Sequence, residues 1–194
     1  MAFWEGEVLF SITVRNNILL RLLLHKDAKA FFELMNKNRE HLSRFMPRIT
    51  ETKSVEDTER VIALFLKQLS ENNGFRAGIF VDYQLIGIAG LKYIDWLNLK
   101  TEVMYWIDHS FTGKGITTEC VRKIIEVAFI QYNLNKVTIR MSVDNIGSIK
   151  VAEKCGLHFE GINRQDEMLS TGFTDMRVYS ILKEEYCKHN RDIT

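Results

Sequence analysis

The sequence is poor in proline and cysteine, and it contains no long hydrophobic run. Its 194 residues include one proline and three cysteines, and Cys120, Cys155 and Cys187 show no CxxC spacing. An odd number of scattered cysteines argues against a disulfide framework and indicates reduced thiols. The apolar runs are much shorter than the roughly 20 residues of a membrane-spanning helix. The first ten residues, MAFWEGEVLF, do not predict a signal peptide. We therefore expect a cytoplasmic protein with no membrane partner.

The charge is almost balanced, with 26 basic and 25 acidic side chains and a formal net charge of +1. So small a net charge creates no overall field that would attract nucleic acid, and we expect no direct nucleic-acid partner. Hydrophobic residues make up 46% of the chain and charged residues 26%, as is typical of globular proteins. The length predicts one domain over residues 1–194.

The hydrophobic periodicity changes several times along the chain. Strand-like stretches lie at 10–14, 18–24, 75–81, 85–94, 101–108, 136–143, 156–169 and 173–183. Helix-like stretches lie at 26–46, which is one broken helix or two short ones, and at 54–73, 116–132 and 145–155. Ser54 with Asp57 three residues later predicts a capped helix start, and Pro47 ends the preceding helical stretch. The order β-β-α-α-α-β-β-β-α-β-α-β-β predicts a mixed α/β domain with a largely antiparallel first half.

Two glycines flank a lysine in the segment SFTGKGITTEC, between a predicted strand and a predicted helix. Gly113 and Gly115 can adopt positive φ, and a helix N-terminus carries unpaired amides and a partial positive charge. The segment is therefore either an ordinary turn or an anion site. It is not a Walker loop, which needs GxxxxGK[ST], and Thr118 stands where a dinucleotide fingerprint needs its third glycine.

Together with its flanks, YWIDHSFTGKGITTEC resembles the acyl-CoA loop of the GNAT superfamily of N-acetyltransferases, although Thr112 and Thr117 differ from the usual residues. DNIGSIKVAEKCGLHFEG, at 144–161, is similar to a second segment of that family. LRLLLHKDA and NREHLSRFMP, near the start, resemble RimJ/RimL-type ribosomal-protein N-terminal acetyltransferases. The resemblance covers about residues 10–185. It implies a GNAT fold, which has a mixed, mostly antiparallel sheet splayed at its centre and helices on both faces.

The resemblance also implies a binding site for acetyl-CoA as co-substrate. The pyrophosphate would contact the loop residues Thr112, Gly113, Lys114, Gly115, Ile116 and Thr117. The backbone of Trp106 and Ile107 would pair with the pantetheine arm, which Asn145 would also contact, and Ser148 would lie near the thioester sulfur. From the residues alone, Asn145 and Ser148 also fit a helix N-cap and first turn that need no ligand. Likewise, an aromatic stretch such as Tyr105 to Ile107 is compatible with plain core packing.

Glu167 is the candidate general base. It stands seven residues after Glu160, where RimL-like enzymes carry a glutamate proposed for that role. Two alternatives stay open: Glu167 is a solvated strand residue, or a bound water takes the proton. None of the histidines has a sequence partner at metal-ligand spacing, so we expect no metal.

The resemblance thus implies transfer of an acetyl group from acetyl-CoA to a primary amine by direct attack in a ternary complex. The expected acceptor is a protein N-terminal α-amine, of the ribosomal-protein type. Its choice would depend on the segment before Gly74, which includes Asn38, Arg39, Phe45 and Met46. One alternative is a small-molecule amine such as a polyamine or an antibiotic. Another is a non-catalytic module that binds CoA or a nucleotide. A homodimer is compatible with the resemblance.

Overall fold

A computed structural model describes residues 11–191, and the side chains of residues 11–188. The strands are β1 Ser11–Arg15, β2 Ile18–Leu22, β3 Phe75–Val81, β4 Gln84–Asp95, β5 Lys100–Ile107, β6 Lys136–Ser142, β7 His158–Leu169 and β8 Gly172–Leu182. The helices are α1 Ala28–Lys37, α2 Arg39–Ser43, α3 Val55–Ser70, α4 Ile116–Ile130, α5 Ile146–Lys154 and α6 Lys183–Arg191. The predicted start of the first strand, at residue 10, lies outside the described residues.

The eight described strands form one open sheet in the order β1-β2-β3-β4-β5-β6-β8-β7. Neighbouring strands are antiparallel except for β5 and β6, which run parallel and pair over only three residues each. A parallel pair needs a crossover connection, and α4 supplies it between these two strands. The predicted fold class, a mixed and mostly antiparallel sheet that separates at its centre, is confirmed.

Helices cover both faces of the sheet and bury two hydrophobic clusters. On one face, α4 contributes a nearly continuous apolar surface that includes Val121, Ile124 and Ala128. On the other face, α1 and α3 pack through residues such as Phe31 and Ile62. No helix of the described chain is long and apolar enough to cross a membrane.

Local signals placed the start of α3 correctly, but the helix ends at Ser70 and not at residue 73, and α6 was not predicted. The main-chain nitrogen of Asp57 donates to Ser54 Oγ at 3.3 Å, and Ser54 nitrogen donates to Asp57 Oδ2 at 3.0 Å, which is the predicted capping box. The segment of α6 is strongly polar, so hydrophobic periodicity gave no helix signal there. Its Tyr186 lies with the ring centroid 5.2 Å from that of Phe129, and this tertiary contact packs α6 against α4.

Candidate functional site

A cleft opens where β5 and β6 separate. The strands pair only through Lys100–Glu102 and Lys136–Thr138. Beyond these residues the facing edges of the two strands carry main-chain groups that no described strand pairs. The cleft has a volume of about 620 Å³, and residues of both strands line it. An unpaired strand edge can bind the amide groups of an extended ligand as it would bind an added strand.

Tyr105 lies in this gap and connects β5 to α5. Its hydroxyl donates to the main-chain carbonyl oxygen of Ser148 at 3.4 Å, and its ring packs against the core. Burial raises the pKa of Tyr105, and the hydrogen bond with Ser148 only partly offsets that effect. The phenol therefore stays protonated at physiological pH, and it holds the start of α5 beside the open edge of β5.

Trp106 and Ile107, the predicted backbone contacts of the co-substrate, both line the cleft. The indole of Trp106 is buried and stacks on the ring of Phe31, with centroids 6.0 Å apart and planes at 13°. Because the side chain belongs to the core beneath α1, the main chain is the part of Trp106 that a ligand could reach. That geometry suits the expected backbone pairing.

Buried polar groups hold the segment that follows β5. The carboxylate of Asp108 accepts from Ser110 nitrogen at 3.0 Å and from Lys37 Nζ at 2.7 Å. The buried Asn38 accepts from His109 nitrogen at 3.0 Å. Burial opposes ionisation of Asp108, but its hydrogen bonds outweigh this and hold its pKa below the usual value. The loop thus begins at a fixed point that is attached to α1 and α2.

Gly113 and Gly115 have φ of +76° and +80°, conformations that favour glycine. A Cβ at Gly113 would meet no atom within 4 Å, so the backbone conformation and not a lack of room requires glycine there. Gly115 is the N-cap of α4, and no side chain caps that helix. The first amides of α4, from Ile116 onward, are therefore free to donate at the positive end of the helix dipole. Such an arrangement can bind a phosphate group.

The other residues of the predicted loop have separate contacts. The hydroxyl of Thr112 donates to the carbonyl oxygen of His109 at 2.7 Å and tightens the turn. The ammonium of Lys114 lies 4.7 Å from the centroid of the Phe111 ring. Thr117 is half-buried and lines the cleft together with Thr112. Of the predicted loop residues, Thr112, Gly113 and Thr117 thus line the cleft. Lys114, which rests on an aromatic ring, Gly115 and Ile116 do not line it.

The predicted cap at the start of α5 is present, and its residues also line the cleft. Asn145 Oδ1 accepts a hydrogen bond from the main-chain nitrogen of Ser148 at 3.1 Å. This bond uses only the oxygen of Asn145 and leaves the two amide N–H groups for other partners. Because Asn145 and Ser148 both line the cleft, the capping role and a ligand-binding role are compatible.

Glu167 lines the same cleft from β7, where an irregularity in the strand positions it. Just before it, Gln165 has φ of +48°, and its main-chain nitrogen donates to Asp175 Oδ1 at 2.8 Å. Asp166 pairs with Arg140 at 2.8 Å. The two residues before Glu167 are therefore engaged in holding the strand, while Glu167 itself is half-buried at the cleft wall.

A second carboxylate, which was not predicted from the sequence, lies at the point where β5 and β6 separate. Glu102 lines the cleft, is only 6% exposed, and accepts from Lys92 Nζ at 3.0 Å. A usable signal was present, because an acidic residue within an otherwise apolar strand is rarely buried unless it is paired. Glu102 is thus already engaged with a cation.

The segment expected to choose the acceptor divides into two groups. Phe45 and Met46 line the cleft. Asn38 and Arg39 do not line it. Instead, Arg39 donates to the carbonyl oxygens of Ile49 and Thr52 at 2.7 and 2.8 Å, and so fixes the chain that follows Met46.

The described part of the chain supports neither a metal site nor a cysteine nucleophile. It contains no group of three or more His, Cys, Asp or Glu residues placed to hold a metal ion. Cys155 is half-buried, and burial raises the pKa of its thiol to about 11, which disfavours the thiolate that a nucleophile needs.

Comparison with known proteins gives matches over nearly the whole chain. Residues 17–158 match the profile of the acetyltransferase (GNAT) domain family. A Bacillus subtilis (strain 168) protein, "Putative ribosomal N-acetyltransferase YdaF", is 36% identical over 180 residues, which is 92% of this chain and 98% of the relative. The "Ribosomal-protein-serine acetyltransferase" of Escherichia coli (strain K12) is 28% identical over 172 residues, 88% of this chain and 95% of the relative.

A solved structure has a similar fold. RimL, described as a ribosomal L7/L12 alpha-N-protein acetyltransferase in complex with coenzyme A, aligns with a TM-score of 0.86 and 22% identity. The alignment covers 89% of this chain and 98% of that structure.

Proposed function

Because the chain belongs to the GNAT family of acetyltransferases, it is an acetyl-CoA-dependent N-acetyltransferase, and we propose that its acceptor is the N-terminal α-amine of a protein. Two relatives named for ribosomal acetylation support this acceptor class. The observation that carries the proposal is that Glu167 of β7 and Ser148 of α5 line one cleft, beside the unpaired edge of β5.

In the proposed complex, the pyrophosphate of acetyl-CoA lies on the glycine loop beside Thr112, where the amides from Gly113 to Thr117 donate hydrogen bonds. The pantetheine arm follows the open edge of β5 past Trp106 and Ile107, and Asn145 contacts it from α5. Among these positions, Thr112, Gly113, Thr117, Trp106, Ile107 and Asn145 line one cleft, which supports this placement.

The reaction is proposed to proceed by direct attack. The neutral amine attacks the thioester carbonyl, the C–N bond forms, the C–S bond breaks, and the CoA thiolate leaves. Glu167 takes the proton from the amine, directly or through a water, and Ser148 donates a hydrogen bond to the departing sulfur. A thiol with a pKa of about 8.5 can leave without full protonation, so Ser148 assists the step without being essential to it.

An α-amine suits a cleft with one available carboxylate. Its pKa is about 7.7–8.0, so roughly a tenth is neutral at pH 7, whereas a lysine amine near 10.4 is almost entirely protonated. Glu102 is already bound to Lys92, which leaves Glu167 as the lining carboxylate without an ion pair among the described residues. One weak base is sufficient for an α-amine and would be a poorer match for an ε-amine.

The test is an acetyl-transfer screen read by mass spectrometry. Purified protein and acetyl-CoA are incubated with peptides that have free N-termini, with the same peptides N-terminally formylated and carrying one internal lysine, and with spermidine and an aminoglycoside. We expect acetylation at the free N-termini. Transfer only to lysine side chains, spermidine or the aminoglycoside would contradict the proposed acceptor, and binding of acetyl-CoA without any turnover would contradict catalysis.

A further inference from the structure

The charges that line the cleft are distributed unevenly along it. The lining residues of the loop and of the start of α5, which include Thr112, Thr117, Asn145 and Ser148, are uncharged. The charged lining residues all come from the other elements of the cleft: Arg48, Arg76, Lys92, Glu102, Arg140 and Glu167. Basic side chains outnumber carboxylates in this second group, which we call the acceptor end of the cleft, although Arg48, Lys92 and Arg140 each have a carboxylate partner.

Two of these cations are only partly neutralised within the protein. Arg76 Nη1 donates to Gln68 Oε1 at 2.7 Å and its guanidinium lies over the ring of Phe65, but among the described residues no carboxylate pairs with it. Arg140 pairs with Asp166 through Nη2, and 29% of its side chain is exposed. A guanidinium has five N–H donors, so each side chain retains donors that a ligand could use.

A third cation lies at the rim. Arg48 follows Pro47 in the segment that walls the acceptor end, and its side chain is 90% exposed. Its contact with Glu51 is a long one, at 3.7 Å between Nε and Oε1. Exposed pairs of this kind are weak, so Arg48 is available to a passing anionic group.

We propose that Arg76 and Arg140, with Arg48 at the rim, select acceptors in which acidic residues follow the N-terminal amine. This inference rests on the proposed function and names the acceptor class more closely. The amine goes to Glu167, and the negative side chains of the following residues meet the guanidinium groups. A polyamine would place its further ammonium groups beside these guanidinium groups. Repulsion between like charges across a binding surface weakens the binding of such a partner.

The test compares three six-residue peptides that begin with Ser-Ala and continue with four Glu, four Gln or four Arg residues. Arginine replaces lysine so that the N-terminus is the one free amine. We expect kcat/KM to be on the order of 10-fold higher for the acidic peptide than for the basic one at low salt. The difference should shrink as the ionic strength rises, because salt screens the charges at the rim.

Variants of the cleft arginines test whether these side chains cause the preference for the acidic peptide. Arg48→Glu and Arg76→Gln should each narrow the preference for the acidic peptide, with acetyl-CoA affinity unchanged. Arg44→Glu is the matched control, because Arg44 is an exposed neighbour on the same segment and does not line the cleft. It changes the net charge as Arg48→Glu does and should leave the preference intact. Since Arg48 is a surface residue, its variant should fold even if Arg76→Gln does not.

The outcomes separate the two proposals. Equal rates for the three peptides, or a preference that Arg44→Glu reduces as much as Arg48→Glu, would overturn the charge selection while N-terminal acetylation stands. Transfer to none of the peptides, with spermidine acetylated instead, would overturn the proposed function and this inference with it.

Discussion

The loop end of the cleft is built mainly from backbone, whereas the acceptor end is built from charged side chains of separate strands. At the loop end, the glycine conformations and the free amides of α4 form the surface, and Asp108 and Asn38 hold it from behind. At the acceptor end, the lining charges come from β3, β4, β5, β6 and β7 and from the segment after Pro47. A backbone site suits a constant ligand such as acetyl-CoA, and a side-chain site can be changed by substitution without altering the fold.

The two ends are also connected mechanically. Lys37 and Asn38, at the junction of α1 and α2, contact Asp108 and His109, which lead into the loop. From the same junction the chain continues through α2 to Phe45 and Met46, which line the cleft. We therefore expect a large loss of rate when Glu167 is replaced and a large loss of acetyl-CoA affinity when the loop backbone is changed. Removal of a charge near the loop should have a small effect on that affinity.

The largest effect is expected for Glu167→Gln. The substitution keeps the size of the side chain but removes proton acceptance, and general base catalysis typically contributes 10²–10⁴-fold, or about 3–5 kcal/mol. The loss of kcat/KM should be greatest at pH 7 and smaller at pH 9, where an α-amine is mostly neutral without help. The measurement is the pH–rate profile of both proteins with one N-terminal peptide.

Glu102→Gln is the matched control for that substitution. It removes the other lining carboxylate, which Lys92 already engages, and should lower the rate much less. If the pH-dependent loss instead follows Glu102→Gln, the base assignment moves to Glu102. A loss in the Glu167 variant that is the same at both pH values would make Glu167 an orienting residue.

The next effect concerns the backbone of the loop. Gly113→Val adds a branched side chain at positive φ and at a surface where the pyrophosphate is proposed to lie, so acetyl-CoA affinity should fall at least about 10-fold. Gly156→Val is the control, because Gly156 has φ of +77°, an equally open surrounding and no place in this cleft. Both variants should lose similar stability, about 1–2 kcal/mol, from the left-handed conformation. Calorimetry that found equal acetyl-CoA affinity in the two folded variants would contradict the proposed phosphate site.

This difference between the ends also explains what the sequence could predict. The glycine loop, the cap by Asn145 and the capping box at Ser54 each depend on residues within a few positions of one another, so local rules found them. The sheet and its central separation followed from the family resemblance, with the strand boundaries set by periodicity.

The acceptor end could not be predicted in the same way. The pair of Lys92 with Glu102 and the pair of Arg140 with Asp166 join residues on different strands, and only the strand register brings them together. The irregularity at Gln165, which positions Glu167, involves a non-glycine residue at positive φ and has no reliable sequence signal. Long-range pairing, not local propensity, decides this part of the site.

A moderate effect is expected for Ser148→Ala. A hydrogen bond to the departing sulfur strengthens as charge develops, so kcat should fall about 10-fold while acetyl-CoA affinity changes little. The cap of α5 should survive, since Asn145 accepts from the main-chain nitrogen of residue 148 and not from its hydroxyl. Single-turnover rates and equilibrium binding would be measured together. An equal loss in both quantities would reduce Ser148 to a ground-state contact.

The smallest effect is expected for Lys114→Ala, and it tests whether backbone or charge dominates the loop end. Lys114 is exposed, rests over Phe111 and does not line the cleft, so its charge acts through solvent. We expect acetyl-CoA affinity to fall only about 2–3-fold at low salt and to match the parent near 0.5 M salt, since screened surface charges contribute little. Lys29→Ala, an exposed change of the same charge on α1, should have no effect on affinity. A loss for Lys114→Ala as large as that for Gly113→Val, and unaffected by salt, would show that the lysine holds the phosphate directly. The loop would then be a side-chain site, and the contrast with the acceptor end would no longer hold.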